Sequence, residues 1–225
     1  MLTTGPGMTY EELRSGGLAI VGVTKIDEVE QIRPPLIATL EQVLRESRPD
    51  LPFRTADTVR DSLGLSQYRR ILSAYQSAGK LSDGDRGVLA ARLRGSARFA
   101  LLARVDKDAV RLPPARRSAT GEYGAGSPQF GTRAASRDTR VRVNLYDLQT
   151  GAEAWSAIYA SSTDNVLPDS VSRLPNRLLL PRQGGPTEAP IEPLPETPTL
   201  AQALIEGFRA FMADLPKATG TPAAP

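Results

Sequence analysis

The chain contains no cysteine and no histidine. These absences exclude disulfides, thiolate metal sites, cysteine nucleophiles and imidazole acid–base catalysis, and they make folding independent of redox state. Aromatic residues are scarce, at 5% of 225 positions, while glycine and proline reach 19 each. Part of the chain is therefore expected not to pack. No apolar run approaches the roughly 20 residues that span a bilayer. The opening Met1–Thr9 has neither the basic region nor the apolar core of a signal peptide, a pattern that a mature or trimmed chain shares. A phosphate-binding G-x-x-x-x-G-K-[ST] loop is also missing. That weakens the most tempting local motif, Val21-Gly-Val-Thr-Lys-Ile-Asp27, whose strand followed by T-K-x-D looks like a guanine-reading element: most nucleotide affinity comes from holding the phosphates.

What is present is a sheet. Phe99, Leu101, Ala103 and Val105 alternate with smaller or polar neighbours in Ala97–Asp106. The same period of two runs through Thr139–Leu148 and Ala154–Ala160, the pattern of strands with one buried face. Between the last two, Asp147, Thr150 and Gly151 supply the side-chain acceptors and the glycine of a tight turn. Trp155, the only tryptophan, alternates with Ala157 and Tyr159 and is expected in the core. Leu18–Val23 reads as a buried strand, and Phe53–Thr55 as a short second one.

Helices are expected between these strands. Pro34-Pro35 can open one whose apolar stripe is Leu36, Ile37, Leu40, Val43 and Leu44. Thr55, Ser66 and Ser82 are candidate N-caps of three more. A last amphipathic helix carries Leu200, Leu204, Phe208, Phe211 and Leu215, with Thr197 as its expected cap and Pro198 in its first turn. Its stripe either returns to the domain, the commoner outcome, or binds a partner. Organised by composition, the chain has a flexible lead (1–16), a single domain (17–162) with a mobile loop (107–138), a proline-rich linker (163–197), a helix (198–215) and a disordered tail (216–225). The fold class is α/β (α+β), a small mixed sheet flanked by helices.

Net charge is +3, but residues 86–142 hold 13 basic side chains against four acidic ones. This excess, nearly all arginine, suits anionic partners. Arg140, Arg142, Asn144 and Tyr146 share one strand face and form a candidate partner-binding surface. As a nucleic-acid platform, a single tyrosine is thin. The carboxylate pairs Asp83/Asp85 and Asp106/Asp108 are candidates for acid–base or metal chemistry. The bland reading makes the first pair helix-start residues and the second a solvated loop edge. No serine lies in a G-x-S-x-G elbow, and no catalytic residue, cofactor or metal site is assigned.

Val141-Arg-Val-Asn-Leu-Tyr-Asp-Leu-Gln-Thr-Gly-Ala-Glu-Ala-Trp-Ser156, preceded by Ala97-Arg-Phe-Ala-Leu-Leu-Ala-Arg-Val105, resembles a group of bacterial envelope proteins. The group includes the curli-secretion lipoproteins, the outer-membrane lipoprotein activators of penicillin-binding proteins, and the N-terminal domain of the Tol–Pal propeller protein. Asp147, Thr150, Gly151, Trp155 and Ser156 fit the group's "D-x-x-T-G-x-x-x-W-[ST]" pattern. Ala97, Arg98 and Phe99 fit its first strand loosely, with Ala103 where glycine is usual. The resemblance implies an anticodon-binding-like α/β domain that acts without catalysis as an assembly or regulatory module. It also implies a periplasmic or outer-membrane location, other envelope proteins as partners, and a membrane link only through a lipid on a cysteine that this chain lacks. A nucleic-acid-binding protein and an uncharacterised enzyme are the alternatives.

Overall fold

The computed structural model describes residues 8–26, 28, 34–113, 133–167 and 195–218. Among them are five strands: β1 (Leu18–Lys25), β2 (Phe53–Arg54), β3 (Phe99–Arg111), β4 (Arg133–Asp147) and β5 (Glu153–Leu167). Six helices accompany them: α1 (Tyr10–Gly16), α2 (Pro34–Ser47), α3 (Ala56–Leu63), α4 (Leu65–Ala78), α5 (Asp83–Leu93) and α6 (Leu200–Asp214). The strands form one mixed sheet in the order β2-β1-β3-β4-β5. The β2–β1–β3 part is parallel and the β3–β4–β5 part antiparallel. The fold is the mixed α/β sandwich that the sequence implies.

Alternation sorts the strand residues into two cores. On one face Ile20, Leu101, Val143, Leu145, Trp155 and Tyr159 meet the apolar stripes of α2 and α6. On the other, Val21, Ala100, Leu102 and Tyr146 meet Val59, Tyr68, Leu72, Tyr75 and Leu89 of α3, α4 and α5. The parallel strands β1 and β3 are buried on both faces, which is why Leu18–Val23 reads as a continuous apolar run.

Several boundaries differ from the sequence reading. Both ends of the region 107–138 are strand, because β3 continues to Arg111 and β4 starts at Arg133. Their register carries on through Asp108↔Thr139 and Val110↔Arg137. Backbone pairing persists there although the side chains are polar, so hydrophobic alternation could not mark it. The expected loop at 118–127 lies outside the described residues, as does 168–194 of the proline-rich segment. Residues 163–167, assigned to that linker, complete β5. Ser66 is not a cap, since α4 follows directly on Gly64 at φ 78°. Nor is Thr197: Thr199 caps α6 in a reciprocal box with Gln202. Thr55 and Ser82 do cap α3 and α5, and within 1–16 a capping box between Thr9 and Glu12 opens α1.

The helix α6 returns to the domain. Leu204, Phe208 and Phe211 are fully buried and Leu200 packs partly buried against the same core. The helix is clamped at both ends. At its start the Arg137 Nη1 group donates to Pro198 O at 3.1 Å. Beyond its end Arg48 donates to Pro216 O at 2.9 Å and to Leu215 O at 3.5 Å. Between the clamps the Ser161 hydroxyl donates to Ala203 O at 2.6 Å. Gly207 lets helix and sheet approach closely, for a Cβ there would lie 3.1 Å from Val141 Cγ1.

Each clamp arginine is itself held by a carboxylate. Arg48 pairs with Asp50 through two 3.0 Å bonds, and Arg137 with Asp108 through two 2.6 Å bonds. The Arg48 guanidinium holds Asp50 below its ordinary carboxylate value. Burial works to raise Asp108, but hydrogen bonds and charge from Arg137 and Lys25 outweigh it and leave that carboxyl lowered too. A folded-state value below the unfolded one gives stability that is present above about pH 4 and lost as pH falls through the folded value. Thermal unfolding followed by circular dichroism should therefore hold a constant midpoint from pH 7 to about 5 and fall steeply below about 4. Asp50→Asn with Asp108→Asn is expected to lower the neutral-pH midpoint and flatten that fall.

Candidate functional site

The β4–β5 turn is the best-defined polar constellation. Asp147 is 6% exposed. Its Oδ1 accepts from Gln149 N at 2.7 Å and Thr150 N at 3.4 Å, an Asx turn. Gly151 follows at φ 72°, a left-handed backbone that a β-carbon would strain. Thr150 Oγ1 accepts from Ala152 N at 3.2 Å. The second Asp147 oxygen accepts from Arg98 Nη2 at 3.3 Å, and Arg98 also donates to Glu12 Oε1 at 2.8 Å. Arg94 closes the turn from α5 by donating to Leu148 O at 3.1 Å. The D-x-x-T-G pattern is thus a staple joining α1, α5, β3 and the turn. Its acceptors are filled from within the chain.

Trp155, 5% exposed, lies opposite Leu145 in the core beneath α2 and α6, as its alternation with Ala157 and Tyr159 implies. The Tyr159 hydroxyl donates to Asp214 Oδ2 at 3.0 Å, and its ring meets Phe211 edge-on at 6.1 Å. Turn, tryptophan and final helix are one packing unit.

The proposed basic–aromatic face is corrected by the structure. Tyr146 is 1% exposed and its oxygen accepts from Leu81 N at 3.0 Å, so it lies beneath the helices instead of in solvent. Burial pushes its hydroxyl up to about 12. Asn144 is also enclosed, accepting from the Tyr75 hydroxyl at 2.7 Å and donating to Ser156 Oγ at 3.0 Å. Arg142 is half-buried and bonded to Asp106 at 3.2 Å. Arg140 alone of the four is exposed. Leu204, Phe208 and Phe211, candidates for partner contact, are likewise spent inside the chain, because the apolar stripe of α6 has a sheet face to cover.

Neither carboxylate pair stands open for chemistry. Asp83 pairs with Arg86, and Asp85 with Ser82 and, at 2.9 Å, Arg70. Asp106 and Asp108 are not on a solvated loop edge but inside β3. Asp106 binds Arg104 at 2.6 Å, whose guanidinium reaches back to Gln76 O and Ser77 O at 3.1 and 3.3 Å. Arg104 thereby satisfies the last carbonyls of α4. It fits there because Gly79 is in the left-handed region and a Cβ would sit 2.6 Å from the guanidinium carbon. Sequence reasoning missed this arginine network, since paired and solvated arginines look alike in sequence. In the T-K-x-D motif, Thr24 is buried and Lys25 pairs with Glu28 and Asp108 at 2.9 Å; Asp27 lies outside the described residues. Among the described residues no group of three or more His, Cys, Asp or Glu could hold a metal ion, and no helix is long and apolar enough to cross a membrane.

The outer edge of β5 has no strand paired with it among the described residues. Surface cavities include one of about 510 Å³ beside β2, lined by Ser15, Gly17, Arg54 and Thr58 among others, and one of about 230 Å³ between α2, α3 and α4, lined by Ile37, Glu41, Asp57, Arg60 and Tyr68 among others.

No family model and no curated protein matches the chain. Solved structures that it resembles include a lipoprotein. Lipoprotein GNA1162 from Neisseria meningitidis is 14% identical, with 66% of this chain and 83% of that one covered at a TM-score of 0.35. The LpoB C-terminal domain from Salmonella enterica is 16% identical, with 68% and 84% covered at 0.32. The PelC dodecamer from Paraburkholderia phytofirmans is 15% identical, with 72% and 80% covered at 0.33. Likeness at this level assigns no function.

Proposed function

We propose that this chain is a non-enzymatic interaction module that helps assemble a bacterial envelope complex, at the periplasmic face of the outer membrane, with other envelope proteins as its partners. One observation carries the reading: the sheet ends in a 15-residue strand, β5, whose outer edge is unpaired among the described residues. Soluble proteins normally blunt such edges with brevity, proline or charge. The opposite edge follows that rule, since β2 has two residues, one of them Arg54. In β5, by contrast, Ala154–Thr163 contains no charge, proline or glycine. Ala160 and Ser162 are exposed there. An extended segment of a partner could add to this edge through main-chain hydrogen bonds.

Photo-crosslinking in the producing cell tests this. A photoreactive residue at Ser162 is expected to give discrete adducts with envelope proteins, lost when Ala160→Lys is introduced beside it. The same residue at Arg69, exposed on α4, is expected to give none of these adducts. Adducts with cytoplasmic proteins, or the same adducts from both positions, would refute the reading.

A further inference from the structure

The free edge of β5 carries side chains that its own chain leaves unanswered. On the face away from Trp155, Ile158, Ala160, Ser162, Asp164 and Val166 follow one another. Val166 is 52% exposed. Asp164 is exposed, and among the described residues its side chain makes neither an ion pair nor a hydrogen bond. Arg111, which lies across Ser136 from it, is held by Asp138. Arg140 stands beside Ala160 on β4, exposed and equally without a partner among the described residues. Its neighbour on β3 is Lys107, so two cations stand side by side, an arrangement that costs stability. One face of the edge thus presents an unpaired cation, an unpaired carboxylate and an uncovered aliphatic group.

A second copy of the chain supplies all three complements. Two copies related by a two-fold axis perpendicular to the sheet pair antiparallel, and the residue on the axis faces itself. With Ser162 on the axis, Ala160 faces Asp164 of the second copy and Ile158 faces its Val166, twice over by symmetry. That Asp164 lies two strand spacings, about 10 Å, from Arg140. An extended arginine and an aspartate together span this distance, and Ala160 is too small to stand between them. Ile158 is half-buried in its own chain, so its contact with Val166 is an aliphatic cross-strand pair. Other centres lose the match. On Ala160, Asp164 faces Ser156, with the enclosed Asn144 beyond. On Ser161 it faces Ile158, with Arg142 beyond, already bonded to Asp106. On Thr163 it faces Ser162, with the like charge of Asp138 beyond, and on Asp164 it faces itself.

We propose that the chain forms a symmetric dimer by antiparallel pairing of β5 with β5 of a second copy, centred on Ser162 and fixed in register by reciprocal Arg140–Asp164 ion pairs. The dimer rests on the reading that the β5 edge receives an added strand, and it names one strand that fits. One of the Ser162 adducts in the cell is then the chain crosslinked to itself.

Analytical ultracentrifugation of the purified full chain over a rising concentration series tests the dimer, and a monomer–dimer equilibrium is expected. Arg140→Glu and Asp164→Lys should each weaken association at least about tenfold. Both sites are exposed, so the unfolding midpoint should not move. The two changes together should restore association, because the ion pair re-forms with its signs exchanged. The register is read separately. The chain has no cysteine, so Ser162→Cys sets a single thiol against its own copy, with Cβ atoms about 4.5–5.5 Å apart. Oxidation should link this variant quickly into a dimer. Ala160→Cys, whose two copies lie about 13 Å apart along the strands, should link slowly. A chain that is monomeric at every concentration, equal linking of the two cysteine variants, or a charge exchange that fails to restore association would each overturn the dimer. If the purified chain is monomeric while Ser162 still crosslinks other envelope proteins in the cell, the dimer falls and the reading of the edge stands. If Ser162 gives no adducts either, both fall.

Discussion

A chain ending at residue 196 is expected to lose its cooperative fold, with no sharp thermal transition by circular dichroism and a collapsed spread of amide NMR shifts. Leu204, Phe208, Phe211, Met212 and Leu215 are each 1% exposed or less and belong to the core shared with α2 and the sheet. Burying each such side chain contributes roughly 1.5–3 kcal/mol, together of order 10 kcal/mol. That rivals the whole stability of a typical domain, about 5–15 kcal/mol. The loss also uncovers Val141, Val143 and Tyr159, and takes from Arg48 and Arg137 the carbonyls they clamp. In the full chain, Phe208→Ala alone is expected to cost about 3–5 kcal/mol in urea unfolding. If α6 were a tethered arm, truncation would leave the melt sharp and Phe208→Ala would leave the midpoint unchanged. Truncation is accordingly the wrong tool for mapping partners, because binding would be lost with the fold.

The legibility of this molecule follows burial. β1, β3 and the core halves of β4 and β5 announce themselves because each alternate or continuous apolar residue meets a helix. The turn is legible because Asp147 and Gly151 are required by the backbone itself. Caps are legible where a hydroxyl stands at the right place, as at Thr55 and Ser82. They mislead where two threonines flank a proline, as at Thr197 and Thr199. What stayed hidden is polar and long-range. Arg104 and Arg137 pair with carboxylates on β3, Arg48 pairs with Asp50 in the turn after α2, and all three reach carbonyls of distant elements, none of which composition records. The charge of Arg104 and Arg137 read as part of a basic surface, although Arg104 is 8% exposed. For the same reason the outer ends of β3 and β4 read as loop.

Trp155→Ala is expected to destabilise the chain by about 3–5 kcal/mol, with a shifted urea midpoint and an unchanged slope. The side chain is 5% exposed, lies across from Leu145, and shares its strand face with Ala157 and Tyr159. Tyr159 in turn touches Phe211 and bonds Asp214. An alanine leaves a cavity in the layer where β5, β4 and α6 converge, and close-packed surroundings refill it only in part. Trp155→Phe, which keeps an aromatic ring in the same layer, should recover most of the loss. The alternative role, an anchor inserted into a partner, makes the opposite prediction: the alanine variant would unfold as the parent does and fail only in binding. The two variants also separate fold from function in the β5 reading. The edge that would receive a partner is main chain, and Ser162 and Ala160 lie on the opposite face from Trp155. Trp155→Phe should therefore retain the Ser162 crosslinks, whereas Ala160→Lys should abolish them at full stability.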